Sequence, residues 1–278
     1  MEKTEIKIDK EEKLLKALTG IGFPFSQAMR LIKNKDVLVD NKRVKENVLL
    51  KSGNTVTVFY DKASLKEKNI KIVYEDDNVI IVDKPVNIEI EGQGGLCEKL
   101  NALPVHRLDR NTVGLVILAK NEKSQQILLA SFKERKLEKI YQALVYGKTD
   151  FDGKVYSAFL KKDEKNARVL ITDKKIPGSQ EIKNAFKTIE NFIDSSLVEI
   201  RLITGKTHQI RAHLAHLNHA IVGDGKYGKL QKDKFKLRYQ ALACVKLAFG
   251  TIDKPLEYLS NQSFTTVAPF KPQSIFDF

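Results

Sequence analysis

The sequence predicts an α+β chain: a small unit of helices and a hairpin, followed by a larger unit built on a mixed, largely antiparallel sheet. Three observations carry this. Five strand-like segments follow one another at 139–146, 154–160, 167–172, 184–191 and 197–203, with only short polar turns between them. Amphipathic helical segments are few, and they do not alternate with the strands as a doubly wound fold would require. Residues 11–60 form a separate pattern with its own apolar faces, set off by the polar, unpatterned stretch 61–69.

The elements follow in order. Leu14, Leu15 and Leu18 share one helical face, and Gly20 and Gly22 follow as a stop. Ser26 is placed to cap a second helix that buries Ala28, Met29, Leu31 and Ile32. Val37-Leu38-Val39, a turn at Asp40-Asn41-Lys42 and Val44 read as a short hairpin, and Thr55–Phe59 as an alternating strand. Beyond the expected linker at 61–69, strands at Ile72–Tyr74 and Val79–Val82 open the second unit, which runs from 70 to 278. The segment 122–135 reads as a helix with Ile127, Leu128 and Phe132 on one side. Asp194-Ser195-Ser196 reads as a hairpin turn, Thr207–Leu217 as a helix and Cys244–Phe249 as a late strand.

The chain of 278 residues carries a formal charge of +13, with 30% of its residues charged. That balance favours a polyanionic partner, and nucleic acid is the expected one, because no basic amphipathic helix or lipidation signal points to a membrane. Cys97 and Cys244 are far apart and form no Cys-x-x-Cys pair, so neither a disulfide framework nor a zinc site is expected. The charged start Met-Glu-Lys-Thr-Glu and the lack of a long apolar run argue against a signal peptide or a membrane span. A cytoplasmic monomer is expected.

The stretch Val105-His106-Arg107-Leu108-Asp109-Arg110-Asn111-Thr112-Val113-Gly114-Leu115 is the most informative in the chain. It sets one carboxylate between two arginines at the mouth of the apolar run Leu115–Ala119. A buried strand needs the run but not the charges, so the loop suits a site where an anionic ligand brings its charge beside a carboxylate. Its His-Arg-Leu-Asp-Arg-x-Thr-x-Gly-Leu pattern resembles the active-site motif of the RluA-type pseudouridine synthases, which isomerise uridine in RNA. Lys139-Ile140-Tyr141-Gln142-Ala143-Leu144-Val145 resembles that family's tyrosine segment. Thr204-Gly205-Lys206-Thr207-His208-Gln209-Ile210-Arg211-Ala212-His213-Leu214 is similar to its second signature. Three segments in the right order specify more than any one of them. The pattern of residues 13–60, in turn, resembles an S4-like RNA-binding domain, so the resemblance covers nearly the whole chain.

The resemblance implies an RNA pseudouridine synthase with no metal and no cofactor, since the reaction moves no hydride and cleaves no phosphate. Uridine must lose its N1–C1′ bond and regain a bond from C5 to C1′, and the electron-poor C1′ calls for a carboxylate much as glycoside hydrolysis does. That role falls to Asp109, by addition at C1′ or by a route through C2′, which the sequence leaves open. Arg211 is the cation expected to hold Asp109 ionised against the effect of burial. Tyr141 is the aromatic face for the base. Arg107 is expected to fill the space of a flipped-out nucleotide, and Arg110, Lys206 and His208 to contact phosphates. In the first unit Arg30, Lys33, Lys42 and Arg43 form a candidate RNA-binding face. Ribosomal RNA of the large subunit is the expected substrate, because a second RNA-holding module suits a large structured target; tRNA is the alternative. A non-catalytic RNA-binding or ribosome-assembly factor and a glycosidic hydrolase are the rivals from other classes.

His208, His213, His216 and His219 fan around a helix instead of converging, so they read as helix and core histidines and not as metal ligands. Gly223-Asp224-Gly225-Lys226-Tyr227-Gly228 resembles the family's Gly-Asp-x-x-Tyr-Gly turn and reads as structural. The chain departs from the family at Asn87, where Asp83-Lys84-Pro85-Val86-Asn87 ends in place of a Gly; at Val113, in place of a Ser; and at Lys206, in place of an Arg. Asn tolerates the left-handed conformation a glycine would take there. Asn34-Lys35-Asp36 also stands where S4-like domains usually have a Gly.

Overall fold

In the computed structural model every residue of Val113–Ala119 is buried, and this strand is the spine of the larger unit. The structure describes residues 2–23, 25–60, 70–228, 235, 237 and 239–270, without the side chains of Phe25 and Ser26. The linker expected at 61–69 lies outside the described residues. The chain divides into two compact units, Met1–Asn69 with Gly92–Gly94, and Ile70–Glu91 with Gly95–Phe278.

The first unit comprises β1 (Glu2–Lys7), β2 (Glu12–Lys13), α1 (Leu14–Gly20), α2 (Phe25–Lys33), β3 (Val37–Val39), β4 (Lys42–Val44), β5 (Leu49–Leu50) and β6 (Thr55–Tyr60). Four strands form a sheet in the order β1-β6-β3-β4. The strand β1 was not expected: EKTEIK has no apolar alternation, and its pairing with β6, Glu2 opposite Tyr60 through Lys7 opposite Thr55, makes it a strand. Two helical expectations are corrected. Helix α2 begins at Phe25, so Ser26 sits one residue inside it and is not its cap. Ala28, Leu31 and Ile32 share the buried face at helical spacing, while Met29 is turned away and is 42% exposed. Asp40 and Asn41 both take positive φ, 48° and 63°, which closes β3 and β4 through a two-residue turn with Lys42 already in the strand. Lys35 is left-handed at φ 63°, so it takes the conformation a glycine would supply.

The larger unit continues with β7 (Lys71–Glu75), β8 (Val79–Lys84), α3 (Leu96–Leu100), β9 (Leu103–Pro104), β10 (Val113–Ala119), α4 (Glu122–Lys133), β11 (Leu137–Tyr146), β12 (Asp152–Asp163) and β13 (Arg168–Thr172). It ends with β14 (Gln180–Asn191), β15 (Ser195–Leu202), α5 (Gln209–His216), β16 (Leu242–Phe249), a short 3-10 turn and β17 (Ser263–Thr265). Nine strands run β13-β12-β14-β15-β11-β16-β10-β8-β7, with β17 beside β16 and β9 beside β10. Neighbours are antiparallel except β10 and β16, which makes the sheet mixed and largely antiparallel, as expected. The hairpin turn between β14 and β15 precedes Ser195, because Asn191 already pairs with Ser196. Helix α4 is capped by Asn121, whose side chain accepts from the Ser124 amide at 2.9 Å.

Register brings distant segments into one row. Gly114 lies opposite Cys244, Cys244 opposite Tyr141, and Tyr141 opposite Ile200, across β10, β16, β11 and β15. Between Ile140 and Tyr141 the partner strand skips Val245, a bulge that re-aims the chain beside Tyr141. The row closes tightly at Gly114, whose φ is 102° and whose missing Cβ would stand 2.2 Å from the Cys244 carbonyl oxygen. Gly114→Ala therefore combines a strained backbone with a backbone collision. It is expected to destabilise the fold by about 3 kcal/mol or more. Urea titration measures this directly, and a loss below about 1 kcal/mol would contradict the packing described.

Candidate active site

Asp109 sits in the loop that enters β10, and several bonds fix that loop from below. The Thr112 amide donates to the Asp109 carbonyl at 2.9 Å. The wholly buried Lys84 donates from Nζ to the carbonyls of Pro85, Ile88 and Arg110 at 3.0, 2.8 and 2.9 Å. Three acceptors use all three protons of an ammonium. Burial nevertheless brings the Lys84 pKa down to about 7, against the opposing charges of Asp109 and Glu89. The Asn87 amide also donates to the Arg110 carbonyl, and Asn87 adopts φ 65°, so the turn survives the loss of the usual glycine.

Helix α5 supplies the cation. Arg211 Nη1 donates to Asp109 Oδ2 at 2.7 Å, while its Nε and Nη2 grip Asp224 Oδ2 and Oδ1 at 2.7 and 2.9 Å. One guanidinium thus bridges two carboxylates, with a two-point fork on the deeper one. The Asp224 side chain is fully buried, and its Oδ1 also accepts the Lys226 and Tyr227 amides at 2.9 and 3.2 Å. Burial would raise the Asp224 carboxyl, but the bonds and charge of Arg211, with the two amides, hold it below its ordinary range. Burial works against a charged Arg211 too, and the two carboxylates more than offset it, so its pKa is raised. Gly223, at φ 75°, brings the turn against the Tyr239 carbonyl, where a Cβ would stand 2.2 Å away.

Asp109 and Arg211 border a cavity of about 690 Å³, a size that suits a small-molecule or nucleotide ligand. Arg107, Asp109, Tyr141, Lys206, His208 and Arg211 all line it, drawn from three segments far apart in sequence. Tyr141 is buried, and burial, with Cys244 and Asp109 beside it, raises its phenol well above the ordinary value, so it stands as a neutral aromatic face. Arg107 and Lys206 are exposed at the rim. Arg110 is exposed outside the cavity wall, and its carbonyl accepts from Lys84 Nζ. Arg30, Lys33, Lys42 and Arg43 belong to the other unit and are all exposed there. Lys42 and Arg43 are consecutive in β4 and leave its two faces, and Arg43 Nη1 reaches the Lys35 carbonyl at 3.3 Å.

The four histidines near α5 go to separate partners: His208 to Tyr227, His213 to Asn184, His216 to Asp173 and His219 to the Tyr146 carbonyl. Among the described residues no group of three or more His, Cys, Asp or Glu could hold a metal ion.

Several cavity residues escaped the sequence reading. Lys139 stands in the wall with its Nζ 4.9 Å from the Phe132 ring, and burial lowers its pKa. A signal existed, since Lys139 is two residues before Tyr141 and shares its strand face. Lys133, Arg135 and Arg201 add positive charge to the rim from the end of α4 and from β15. Asp224 and Tyr227 were read only as a turn, and no spacing in the sequence ties them to Arg211 or Asp109.

The chain matches the RNA pseudouridylate synthase family over residues 78–216, and it belongs to that family. The protein is therefore a pseudouridine synthase, an isomerase that takes RNA as its substrate. It is 32% identical over 245 residues to the ribosomal large subunit pseudouridine synthase C of Vibrio cholerae, covering 78% of this chain and 76% of that one. It is 33% identical over 282 residues to an RNA pseudouridine synthase of Mycoplasma pneumoniae, with 88% and 85% covered. In fold it resembles human RNA pseudouridylate synthase domain containing 1, at a TM-score of 0.62 and 24% identity over 74% of this chain and 86% of the other.

The buried ion triad sets a pH dependence. Because the folded Asp224 carboxyl lies below its ordinary 3.8, its stabilisation is fully present above that value and is lost as pH falls toward the folded pKa. Asp224→Asn is expected to cost about 2–3 kcal/mol at neutral pH. The gap between wild type and variant should narrow on acidification below pH of about 4. Denaturant melts across that range test it, and a gap that stays constant would remove the ion pair as the cause.

Proposed function

We propose that this synthase modifies large-subunit ribosomal RNA, with Asp109 as the carboxylate that meets the sugar of a uridine flipped out of its stack. The observation that carries the reading is the Arg211 guanidinium, which bonds Asp109 on the wall of a cavity that Tyr141 also lines. A base within a stack cannot reach a carboxylate in a recess, so the nucleotide must leave its stack, at a cost of roughly a few kcal/mol. Arg107 and Lys206, exposed at the rim, suit the phosphates on either side, and Arg107 also suits the vacated space.

In this reading Asp109 acts on C1′, by addition or through C2′, as the N1–C1′ bond breaks. The uracil turns against the face of Tyr141 and C5 joins C1′, releasing the C5 proton. A phenol held protonated is a poor base, so Tyr141 acts by its shape. Arg211 keeps Asp109 oriented through the bond from its Nη1.

Two observations favour ribosomal RNA over tRNA. The relative from Vibrio cholerae carries the large ribosomal subunit in its name. The first unit, with its small helices, hairpin and exposed Arg30, Lys33, Lys42 and Arg43, suits an S4-like RNA-binding module. The enzyme then works as a cytoplasmic monomer on a structured RNA.

The test is tritium release from large-subunit ribosomal RNA transcript carrying uridine labelled at C5. Wild type releases tritium, and Asp109→Asn loses at least about a thousandfold in rate. An Asp109→Asn enzyme of near wild-type activity would remove Asp109 from the chemistry. Release from tRNA alone would transfer the reading to that substrate.

A second prediction concerns the first unit. Each phosphate neutralised adds roughly one to the slope of log affinity against log salt. Lys42→Ala with Arg43→Ala weakens RNA binding and flattens that slope by about one to two units. A slope equal to that of wild type would mean that these two residues touch no phosphate.

A further inference from the structure

We propose that Tyr227 locks His208 as its neutral Nε2–H tautomer, and that this N–H is a hydrogen-bond donor to the reacting nucleotide beside Asp109. The inference rests on the reading that Asp109 faces the sugar carbon C1′.

The tautomer follows from a chain of bonds. The Val169 amide donates to the Tyr227 phenol oxygen at 3.0 Å, and the same oxygen lies 2.9 Å from His208 Nδ1. An amide N–H can only donate, so it occupies a lone pair of the phenol. Burial raises the Tyr227 pKa, and the phenol keeps its proton. A half-buried O–H seeks an acceptor, and among the described residues the one bonded to it is His208 Nδ1. With Nδ1 accepting, a neutral imidazole carries its hydrogen on Nε2.

Among the described residues no acceptor lies within hydrogen-bond distance of that Nε2. Nε2 stands 3.9 Å from Asp109 Oδ2, too far for a direct hydrogen bond. The ring is neutral because burial lowers its pKa; Arg211 and Lys226 push the same way, and Asp109 and Asp224 oppose them. The backbone adds a second sign of constraint, since His208 is held at φ 53°, a conformation that costs a β-carbon-bearing residue free energy and gathers at functional sites. Tyr227 organises both neighbours of Asp109: its ring meets the His208 ring edge-on at 5.6 Å and lies 5.3 Å from the Arg211 guanidinium.

A neutral donor here has a defined use. Arg211 already supplies the positive charge that orients Asp109, and a second cation would weaken the carboxylate toward the sugar. An uncharged N–H instead suits a lone-pair oxygen close to C1′, either the uracil carbonyl next to N1 or the 2′-hydroxyl. A bond to the carbonyl strengthens as negative charge gathers on the departing base. His208 would then touch the nucleotide itself, and Tyr227 would be a positioning residue that acts through it.

The chain has five histidines, so the tautomer is directly readable by 15N NMR of the full-length protein, with His208 assigned through His208→Gln. Wild type shows protonated Nε2 and bare Nδ1, and Tyr227→Phe shows a mixture; bare Nε2 in wild type would overturn the proposal. Rates are read by tritium release from whichever RNA pool wild type modifies. His208→Ala lowers kcat about a hundredfold with KM little changed, and His208→Gln, whose amide N–H reaches the same place, recovers to within about tenfold of wild type. Tyr227→Phe costs about tenfold with His208 present and less than about twofold in the His208→Gln background, because an amide has no tautomer to fix. Equal losses in both backgrounds would make Tyr227 a mere support for Val169 and sink the proposal. Transcripts containing 2-thiouridine or 2′-deoxyuridine identify the acceptor: removing the right oxygen brings wild type and His208→Ala together, and convergence with neither means that His208 touches no such oxygen. Wild type inactive on every RNA would fail the functional reading, while the NMR result would still decide the tautomer.

Discussion

A single guanidinium, Arg211, is shared between two carboxylates, and the site is organised around that sharing. Removing three charges from water is costly, and it is tolerated only where every donor and acceptor is matched. Asp224 meets that condition by accepting two side-chain bonds and two backbone amides. The fork on Asp224 fixes the plane of the guanidinium, which leaves Nη1 as the group presented to Asp109. Asp109 therefore faces the cavity with its position set from behind.

The sheet makes this possible by bringing three distant segments to one place. The loop before β10, the front of β11 and the turn from β15 into α5 meet because Gly114, Cys244, Tyr141 and Ile200 lie in one row of cross-strand partners. A slip of one residue would turn Tyr141 to the opposite face and separate it from Asp109. The glycine at the head of that row allows β10 and β16 to approach more closely than any side chain would permit. The geometry of the candidate site is thus a consequence of strand register.

Beneath the row, buried and half-buried polar groups do the positioning. Lys84 ties three carbonyls of the loops beside Asp109 into one cradle, and Tyr227 links β13 to the start of α5 through Val169 and His208. Such groups are costly to bury unless satisfied, and satisfied they leave a single arrangement.

Much of this was legible beforehand. The apolar run 115–119, the alternating strands from 139 onward and the helix at 207–217 announce themselves through period and turn chemistry, which are local properties. Asp109, Tyr141 and Arg211 were legible as members of three linear patterns, each readable without knowing where the others lie. The strand β1, the exposure of Met29 and the start of α2 were not, because pairing with β6 and the direction of the core decide them. Asp224, Tyr227 and Lys139 were hidden for the same reason: a carboxylate in a glycine-rich turn looks like any turn until folding sets it against Arg211. The sequence by itself determined the α+β class, the family and three of the groups in the cavity, Asp109, Tyr141 and Arg211, since composition and short motifs follow the covalent chain. Only the tertiary structure decided which of those groups touch, because hydrogen bonds and ion pairs depend on distances of a few ångströms that strand register, and not spacing along the chain, controls.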